Sequence, residues 1–424
     1  MQYIQYPKKE EWGKILTRPT LDNSSLLDLV RNVLNDIRTR GDEAVKEYEL
    51  KFDKVSLPSL QVTEEEIKEA EYLISKELKD AIVLAKGNIE KFHKAQDHEL
   101  PCIETMPGVK CWQKAMPIER VGLYIPGGTA PLFSTVLMLA IPAKIAGCKQ
   151  ITLCTPPNKE GKVHPAVLFA AKTAGVDCIF KIGGVQAIGA MAYGTQSVPK
   201  AYKIFGPGNQ YVTAAKQLVG LRDVAIDMPA GPSEVEVIAD ETANPAFVAS
   251  DLLSQAEHGI DSQAILITTS EKLAGATVIE VEKQLAVLPR KEIAERSIKN
   301  SKIILVKNID EVVEMSNEYA PEHLIISTKN YNEIAGRITN AGSLFLGYYT
   351  PESAGDYASG TNHTLPTNGY AKAYNGVNLD SFRKKITYQE ITQDGLKLIG
   401  GAIEIMAENE QLFAHKNAVT LRLK

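Results

Sequence analysis

The sequence predicts an α/β protein with two Rossmann-like, doubly wound layers. Four strand–turn–helix units follow one another over residues 121–219, and a second alternation of strands and helices covers 234–346. Strands that alternate with helices favour a parallel sheet, because a parallel connection needs a long crossover. A long irregular segment rich in Gly, Tyr, Thr and Asn follows at 347–380, and segments of that kind in compact domains are usually functional or disordered. Its aromatic residues and isolated histidine favour function.

Hydrophobic periodicity and turn residues place the elements of both layers. In the first layer we predict strands at 121–125, 150–154, 178–182 and 201–205, and helices at 131–145, 165–173, 185–193 and 210–219. In the second layer we predict strands at 234–239, 264–268, 302–306, 323–327 and 343–346, and helices at 245–258, 271–286, 291–300, 310–319 and 330–340. The helix at 245–258 has the clearest ends: Asn244 suits the N-cap, Pro245 the first turn, and Gly259 a left-handed terminus.

The chain has 424 residues, which is too long for one ordinary domain. We predict an N-terminal arm at 1–22, and the pattern becomes helical from residue 23 onward. A discontinuous first α/β domain is formed by 23–120 and 234–377. The second α/β domain is 121–233. Residues 378–424 form a C-terminal helical element, with one helix over 392–415, that could pack on a partner subunit.

Composition excludes several functional classes. Lys and Arg number 47 and Asp and Glu 52, so the net charge of −5 argues against nucleic-acid and anionic-membrane partners. No secretory signal or membrane span is predicted. The five cysteines form no C-x-x-C pair, which favours reduced, inert thiols in a cytoplasmic protein.

Gln255 and His258 are the first candidate metal ligands. They are three residues apart, so they share one face of the last helical turn, where an amide oxygen and a neutral imidazole could hold zinc. A histidine at a helix C-terminus also commonly interacts with the helix dipole, and from these residues alone that interpretation is favoured.

Other candidates lie at turns and element ends. Glu322 and His323 precede a buried strand and form either an acid–base pair or a surface ion pair. Asp356 lies among small residues, where it could complete a metal shell or cap a turn. Glu410 and His415 are five apart near the end of the last predicted helix and do not share a face of it.

Glycine-rich turns precede several helices. The Gly-Pro-Gly-Asn turn at 206–209 and the Gly-Gly turn at 183–184 are placed as phosphate-binding turns are. Neither is a G-x-G-x-x-G fingerprint, and strand-to-helix turns often need glycine in any case. Ser233, in the turn before the strand at 234–239, could hydrogen-bond a ligand.

Together these motifs resemble the histidinol dehydrogenase family. The matching segments are 40–44, 51–53, 227–234, 255–259, 319–324 and 345–363, and the resemblance runs over most of the chain. It implies a cytoplasmic homodimer that oxidises L-histidinol to L-histidine in two steps, each reducing one NAD, with one zinc ion per subunit.

The resemblance also implies residue roles. Zinc ligands would be Gln255, His258, Asp356 and His415. Substrate contacts would be Ser233, Gln255, His258, His323, Asp356, Glu410 and His415, and nucleotide contacts Tyr124, Gln186 and Asn209. His323 would act as the base and Glu322 would activate water. In the family the last helix reaches the partner subunit, so Glu410 and His415 would complete the neighbouring site.

One residue departs from the family pattern, and two alternative functions remain open. Glu236 occupies a strand position where an aliphatic residue is usual, so it needs a partner or a place near the sheet edge. A zinc hydrolase using Glu322 is one alternative, weakened by the absence of H-E-x-x-H. A non-catalytic α/β ligand-binding protein is the other.

Overall fold

The computed structural model describes residues 1–19, 24–127, 130–228 and 231–424. Within these ranges the strands are β1 (Gln2–Gln5), β2 (Ile103–Met106), β3 (Val109–Pro117), β4 (Arg120–Tyr124), β5 (Gln150–Thr155), β6 (Cys178–Lys181), β7 (Lys203–Phe205), β8 (Ala225–Ile226), β9 (Glu234–Ala239), β10 (Gln263–Thr268), β11 (Lys302–Leu305), β12 (His323–Ser327), β13 (Ser343–Leu346) and β14 (Arg383–Ile391).

The α-helices are α1 (Trp12–Ile15), α2 (Ser24–Arg40), α3 (Asp42–Tyr48), α4 (Glu64–Leu73), α5 (Lys76–Lys94), α6 (Phe133–Ala146), α7 (Pro165–Ala174), α8 (Gly184–Tyr193), α9 (Gln210–Gly220), α10 (Pro245–Ala256), α11 (Glu271–Val287), α12 (Lys291–Asn300), α13 (Ile309–Tyr319), α14 (Tyr331–Ala335), α15 (Glu352–Tyr357), α16 (Gln393–Asn409) and α17 (Phe413–Leu423). None of these helices combines the length and apolar character needed to cross a membrane. The predicted helix start at residue 23, half of the turn at 126–129, and residues 229–230 of the motif at 227–234 lie outside the described residues.

Two parallel sheets confirm the predicted α/β class. One has the strand order β1-β11-β10-β9-β12-β13 and the other β6-β5-β4-β7-β8, and all pairings within them are parallel. In the six-stranded sheet the chain passes from β9 outward to β10 and β11, and then returns to place β12 and β13 on the other side of β9. In the five-stranded sheet it passes from β4 to β5 and β6, and then places β7 and β8 on the other side of β4. The order therefore reverses between β9 and β12 in the six-stranded sheet and between β4 and β7 in the five-stranded sheet.

The packing of the N-terminal helices corrects the predicted domain grouping. Residues 23–120 were grouped with 234–377, but α2 packs on α8 and α9, α4 packs on α7, and α5 packs on α6. Buried side chains of these helices share their apolar cores with the five-stranded sheet. Part of the predicted arm at 1–22 is also strand, since β1 pairs with β11 at the edge of the six-stranded sheet.

The structure also corrects the predicted C-terminal helical element, because this region is only partly helical. β14 pairs antiparallel with β3, and β2 completes this third sheet. Two helices, α16 and α17, replace the single helix predicted at 392–415, and Gln411 in the left-handed conformation lies between them. They pack chiefly on each other and leave large apolar side chains exposed, including Leu398, Ile405, Met406 and Phe413.

Local signals at α10 are confirmed at its start and wrong at its end. The Asn244 side chain accepts a hydrogen bond from the Ala246 N–H, and Pro245 occupies the first turn. The helix ends at Ala256 with Glu257 in the right-handed region, and Gly259 does not have positive φ. His258 therefore lies just beyond the helix rather than on its last turn.

Glu236 lies in the interior of the sheet rather than at an edge, and the nearby Ser316 hydroxyl lowers its pKa by less than burial raises it. Its strand, β9, runs between β10 and β12, and its neighbours there are Ile265 and Leu324. Both carboxyl oxygens are buried and lack hydrogen-bond partners among the described residues. Burial raises the pKa of Glu236 to about 8, so the side chain is largely protonated and neutral at pH 7.

Candidate active site

The candidate acid–base residues lie at the amino-terminal edge of the six-stranded sheet. β9 begins at Glu234 and β12 at His323, and these two strands are neighbours. The C-terminal ends of α10 and α13 reach the same edge, because each of these helices is followed by the next strand of the sheet. Side chains that precede the two strands are therefore brought together with residues that follow α10.

His323 is buried among carboxylates. Its Nδ1 lies 3.3 Å from the Glu234 carbonyl oxygen and 3.4 Å from Glu352 Oε1, and its Nε2 lies 3.6 Å from Asp356 Oδ1. Burial lowers the pKa of His323, but the surrounding carboxylates outweigh it and raise that pKa to about 10. When Nδ1 carries a proton it donates to the Glu234 carbonyl, which leaves Nε2 facing Asp356.

Glu322 is held by the same strand start. Its Oε2 accepts a hydrogen bond of 3.0 Å from the Glu234 N–H and lies 3.7 Å from His323 Nδ1. Burial raises the pKa of Glu322 to about 7, although the charge of His323 opposes that shift. The two adjacent residues thus form one buried group, which favours the acid–base interpretation over a surface ion pair.

Asp356 lies on α15, and its Oδ1 lies 3.6 Å from His323 Nε2. Burial by itself would raise the pKa of Asp356. His323, together with His363 and His258, lowers that pKa by more than burial raises it, so the pKa falls below its ordinary value. His363, from the irregular segment after α15, has Nδ1 2.9 Å from the Asp356 carbonyl oxygen and Nε2 3.1 Å from Thr135 Oγ1. The Asp356 carboxylate is therefore not merely a turn cap.

Glu352 is a site residue that the sequence analysis missed. It is buried, it accepts a hydrogen bond from Ser254, and its pKa is raised to about 8 by burial. Ligand atoms of His323, Glu352 and Asp356 lie within 4.8 Å of one another, a spacing that could hold a metal ion. Its spacing from Asp356 was the available signal, since residues four apart share a helical face.

His258 lies near the carboxylates that surround His323, because the charges of Asp356 and His323 act on its pKa, and Gln255 precedes His258 by three residues. Gln255 is fully buried, and its amide oxygen and nitrogen have no hydrogen-bond partner among the described residues. His258 is reachable by solvent, yet the surrounding protein lowers its pKa through desolvation, with the charge of Asp356 opposing this shift. An unpartnered amide and a neutral imidazole are donors that zinc accepts.

Three of the predicted substrate-contact residues lie in two different places in the structure. Ser233 immediately precedes Glu234 at the same sheet edge and is half-buried there. Glu410 and His415 are not brought to the group: Glu410 caps the end of α16, and His415 lies on α17, both exposed. Within the described residues, neither side chain forms a hydrogen bond or ion pair with the cluster formed by Glu322, His323, Glu352 and Asp356.

The three predicted nucleotide contacts line one cavity of about 1000 Å³. The Tyr124 hydroxyl accepts a hydrogen bond from the Gly184 N–H, and Gln186 donates to Glu49 and to Asp53. Asn209 caps α9 through two backbone N–H groups. The cavity lies beyond the carboxyl ends of β4, β5, β6 and β7, next to the strand-order reversal of that sheet.

The turn at 206–209 owes its shape to close backbone approach. Gly206 has φ +124, and a Cβ there would lie 2.0 Å from the Tyr124 carbonyl oxygen. Its N–H donates to Asp227, and Lys216 donates to its carbonyl oxygen while pairing with the same buried aspartate. Glycine is therefore required at this position, where only a residue without a side chain fits.

Fold and site together define an α/β enzyme with a histidine–carboxylate acid–base group, metal-ligand donors beside it, and a separate cavity of nucleotide size. The family model of histidinol dehydrogenase matches residues 16–423. Histidinol dehydrogenase of Bacteroides thetaiotaomicron is 70% identical over 423 residues, covering 100% of this chain and 99% of that protein. The enzyme of the same name from Escherichia coli K12 is 52% identical, with 98% and 95% covered.

A solved structure agrees with these relatives. The crystal structure of histidinol dehydrogenase from Elizabethkingia anophelis superposes with a TM-score of 0.98 at 56% identity, covering 100% of this chain and 98% of that one. The chain belongs to the histidinol dehydrogenase family. It is an oxidoreductase that acts on histidinol with NAD, which removes the hydrolase and the non-catalytic binding protein as alternatives.

Proposed function

We propose that this enzyme holds zinc through Gln255, His258 and Asp356, with His415 of the partner chain as the fourth ligand. The observation that carries this proposal is the fully buried Gln255 amide, which has no hydrogen-bond partner among the described residues and precedes His258 by three residues. His258 in turn lies close enough to Asp356 and His323 for their charges to act on its pKa. A buried polar group without a partner costs stability unless a ligand satisfies it. The chemistry that zinc would supply is anchoring of the substrate imidazole and amine.

The reaction would proceed as two oxidations of bound L-histidinol through L-histidinaldehyde to L-histidine. In the first, His323 Nε2 accepts the hydroxyl proton while the carbinol hydride passes to NAD. Glu352 and Glu322 raise the pKa of His323 most, and Asp356 adds to them. An Asp356 carboxylate engaged with a cation would remove its own contribution, which favours the neutral imidazole that this step needs. The Glu234 carbonyl orients the ring by accepting from Nδ1.

The second oxidation needs a water molecule. Glu322 accepts a proton from water as the water oxygen adds to the aldehyde carbon, and His323, protonated in the first step, returns its proton to the aldehyde oxygen. The resulting hydrate then loses a hydride to a second NAD and a proton to the neutral His323. A carboxyl group with a pKa of about 7 is suited to proton transfer near neutral pH. The Glu234 N–H holds the carboxylate of Glu322 in place.

NAD would bind in the cavity formed by Tyr124, Gln186 and Asn209. The first turns of α8 and α9 border this cavity, and helix N-termini favour the negative charge of a pyrophosphate. In this assignment NAD binds beside the five-stranded sheet, whereas the proposed zinc ligands lie beside the six-stranded sheet.

The enzyme would function as a homodimer in the cytoplasm. Glu410 and His415 are exposed on the α16–α17 pair, whose large apolar side chains are also exposed, as expected for a surface that packs on a second copy. The five cysteines are free thiols, as is usual in a reducing compartment.

Metal analysis combined with kinetics tests both ends of the site. His258→Asn should lower bound zinc from one per subunit by about 10-fold or more at limiting zinc, because a neutral donor is lost, with the KM for NAD unchanged. Tyr124→Phe should raise the KM for NAD several-fold and leave zinc content unchanged.

His98→Asn is the matched control. His98 is exposed and does not line the cavity that contains Tyr124. Zinc content of His258→Asn equal to that of the control would contradict the metal assignment, and an unchanged KM in Tyr124→Phe would contradict the nucleotide assignment.

A further inference from the structure

Arg18, in the segment after α1, connects two places that support the acid–base residues. Its guanidinium donates to both carboxylate oxygens of Glu234, with Nη2 3.0 Å from Oε1 and Nε in closer contact with Oε2. Nη2 also donates to the carbonyl oxygens of Tyr319, at 2.6 Å, and Ala320, at 3.3 Å. The guanidinium carbon lies 3.9 Å from the centre of the Tyr319 ring. One side chain thus joins the start of β9 to the end of α13.

Both places directly adjoin the residues proposed to transfer protons, Glu322 and His323. The Glu234 backbone donates to Glu322 and accepts from His323 Nδ1, so the position of β9 sets the position of both side chains. Ala320 has φ +53 and ψ 66, a left-handed conformation that is unfavourable for alanine, and it lies two residues before Glu322. A guanidinium that binds the carbonyl of Ala320 stabilises this backbone turn where the chain enters the site.

Arg18 has no substitute in this arrangement. Among the described residues, no other cationic side chain forms an ion pair with Glu234, whose side chain is only 3% exposed and also contacts Tyr319. The Tyr319 hydroxyl also donates to Glu234, at 3.2 Å, but it supplies one hydrogen bond and no charge. Buried carboxylates that lose their charged partner usually move or take up a proton.

We infer that Arg18 is a positioning residue that holds Glu322 and His323 in place through Glu234 and the Tyr319–Ala320 carbonyls. The inference rests on the proposed roles of Glu322 and His323. It gives the N-terminal segment a function in the reaction, although its described residues, 1–19, do not line the nucleotide cavity and form no ion pair with the metal-ligand candidates.

Steady-state kinetics of Arg18→Ala tests the inference. We expect kcat to fall about 10- to 100-fold, because small displacements of reacting groups cost that much. The KM for histidinol should change less than about 2-fold, since Gln255, His258 and Asp356 are held by other elements. Guanidinium ion at low, non-denaturing concentration should restore part of the lost kcat, and ammonium at equal ionic strength should not, because only the planar fork reproduces the lost hydrogen bonds.

Arg31→Ala is the matched control, since Arg31 is exposed on α2 and pairs with Asp28. It should show neither loss nor rescue. An unchanged kcat in Arg18→Ala would overturn the inference. So would a loss that appears only in KM or that guanidinium fails to restore.

A double-mutant cycle separates this inference from the proposed function. If Arg18 acts through Glu322, adding Arg18→Ala to Glu322→Gln should slow aldehyde oxidation by less than Arg18→Ala slows it alone. Strictly multiplicative losses would overturn the positioning role. If Glu322→Gln by itself leaves aldehyde oxidation intact, the proposed role of Glu322 fails instead.

Discussion

The two parallel sheets place their candidate site residues at opposite edges. In the five-stranded sheet, Tyr124, Gln186 and Asn209 follow the carboxyl ends of strands, where ligands of doubly wound sheets usually bind. In the six-stranded sheet, Glu322 and His323 lie at the amino ends. Both positions adjoin a reversal of strand order, so topology alone does not distinguish them.

Helix polarity gives the difference a physical meaning. The carboxyl edge of a parallel sheet is faced by helix N-termini, whose partial positive charge favours phosphates. The amino edge is faced by helix C-termini, here those of α10 and α13, whose partial negative charge favours cations. One edge therefore suits the pyrophosphate of NAD, and the other suits a metal ion and a protonated His323 surrounded by carboxylates.

At the amino edge, the proposed ligands are not all brought together within one chain. The charge of Asp356 acts on the pKa of His258, whereas Glu410 and His415 are exposed on the C-terminal helices. The proposed homodimer resolves this difference if each chain supplies the last two residues to its neighbour.

Mixed dimers give the largest expected effect. Asp356→Ala and His415→Ala homodimers should each be nearly inactive, because each lacks a proposed zinc ligand. Subunits exchanged at equal ratio should recover about a quarter of wild-type activity, since half of the dimers are mixed and one site in each is intact. NADH formation with histidinol measures the recovery.

A chain carrying both substitutions supplies the control for this exchange. Mixed with His415→Ala, it leaves every site without at least one ligand and should recover nothing. If Asp356→Ala and His415→Ala also fail to complement each other while exchange is verified, the shared site is wrong.

Glu322→Gln should have a large but selective effect. Glutamine keeps an oxygen that can accept from the Glu234 N–H but cannot take a proton from water. Aldehyde oxidation should slow by about 100-fold or more, while alcohol oxidation slows much less. Single-turnover assays with each substrate measure the two steps, and equal slowing of both would count against a role specific to water.

Glu236→Leu should have the smallest effect, and it acts on stability. The pKa of Glu236 is about 8 when folded and near 4.5 when unfolded, so its contribution to stability is greatest below pH 4.5 and is lost as pH rises through 8. One unit of pKa corresponds to about 1.4 kcal/mol, so the leucine variant should be more stable than the wild type at pH 9 by one to several such steps.

Urea unfolding at pH 6 and pH 9 checks this prediction. The gain from Glu236→Leu should be larger at pH 9, whereas Glu241→Gln, at an exposed turn glutamate, should show no such pH dependence. A gain that is equal at both pH values would mean that Glu236 does not change protonation on unfolding.

Local sequence signals predicted most elements of the two parallel sheets well, and they also indicated candidate site residues. Alternating strands and helices indicated two parallel sheets, Asn244 and Pro245 marked the start of α10, and the adjacent Glu322 and His323 pointed to acid–base chemistry. Local patterns were less informative at the C-terminus, where β14 and the break between α16 and α17 were missed. β14 forms because β3 offers a pairing edge, and that edge comes from a segment more than 250 residues earlier.

By itself, the sequence determined the α/β class, the family motifs and the residue types available for chemistry, because these follow from local periodicity and short-range spacing. Only the tertiary structure decided which edge of each sheet carries those residues, and that Arg18 and Glu352 support His323. These contacts join positions far apart in the chain, such as Arg18 and Glu234, and their formation depends on how whole helices and sheets pack.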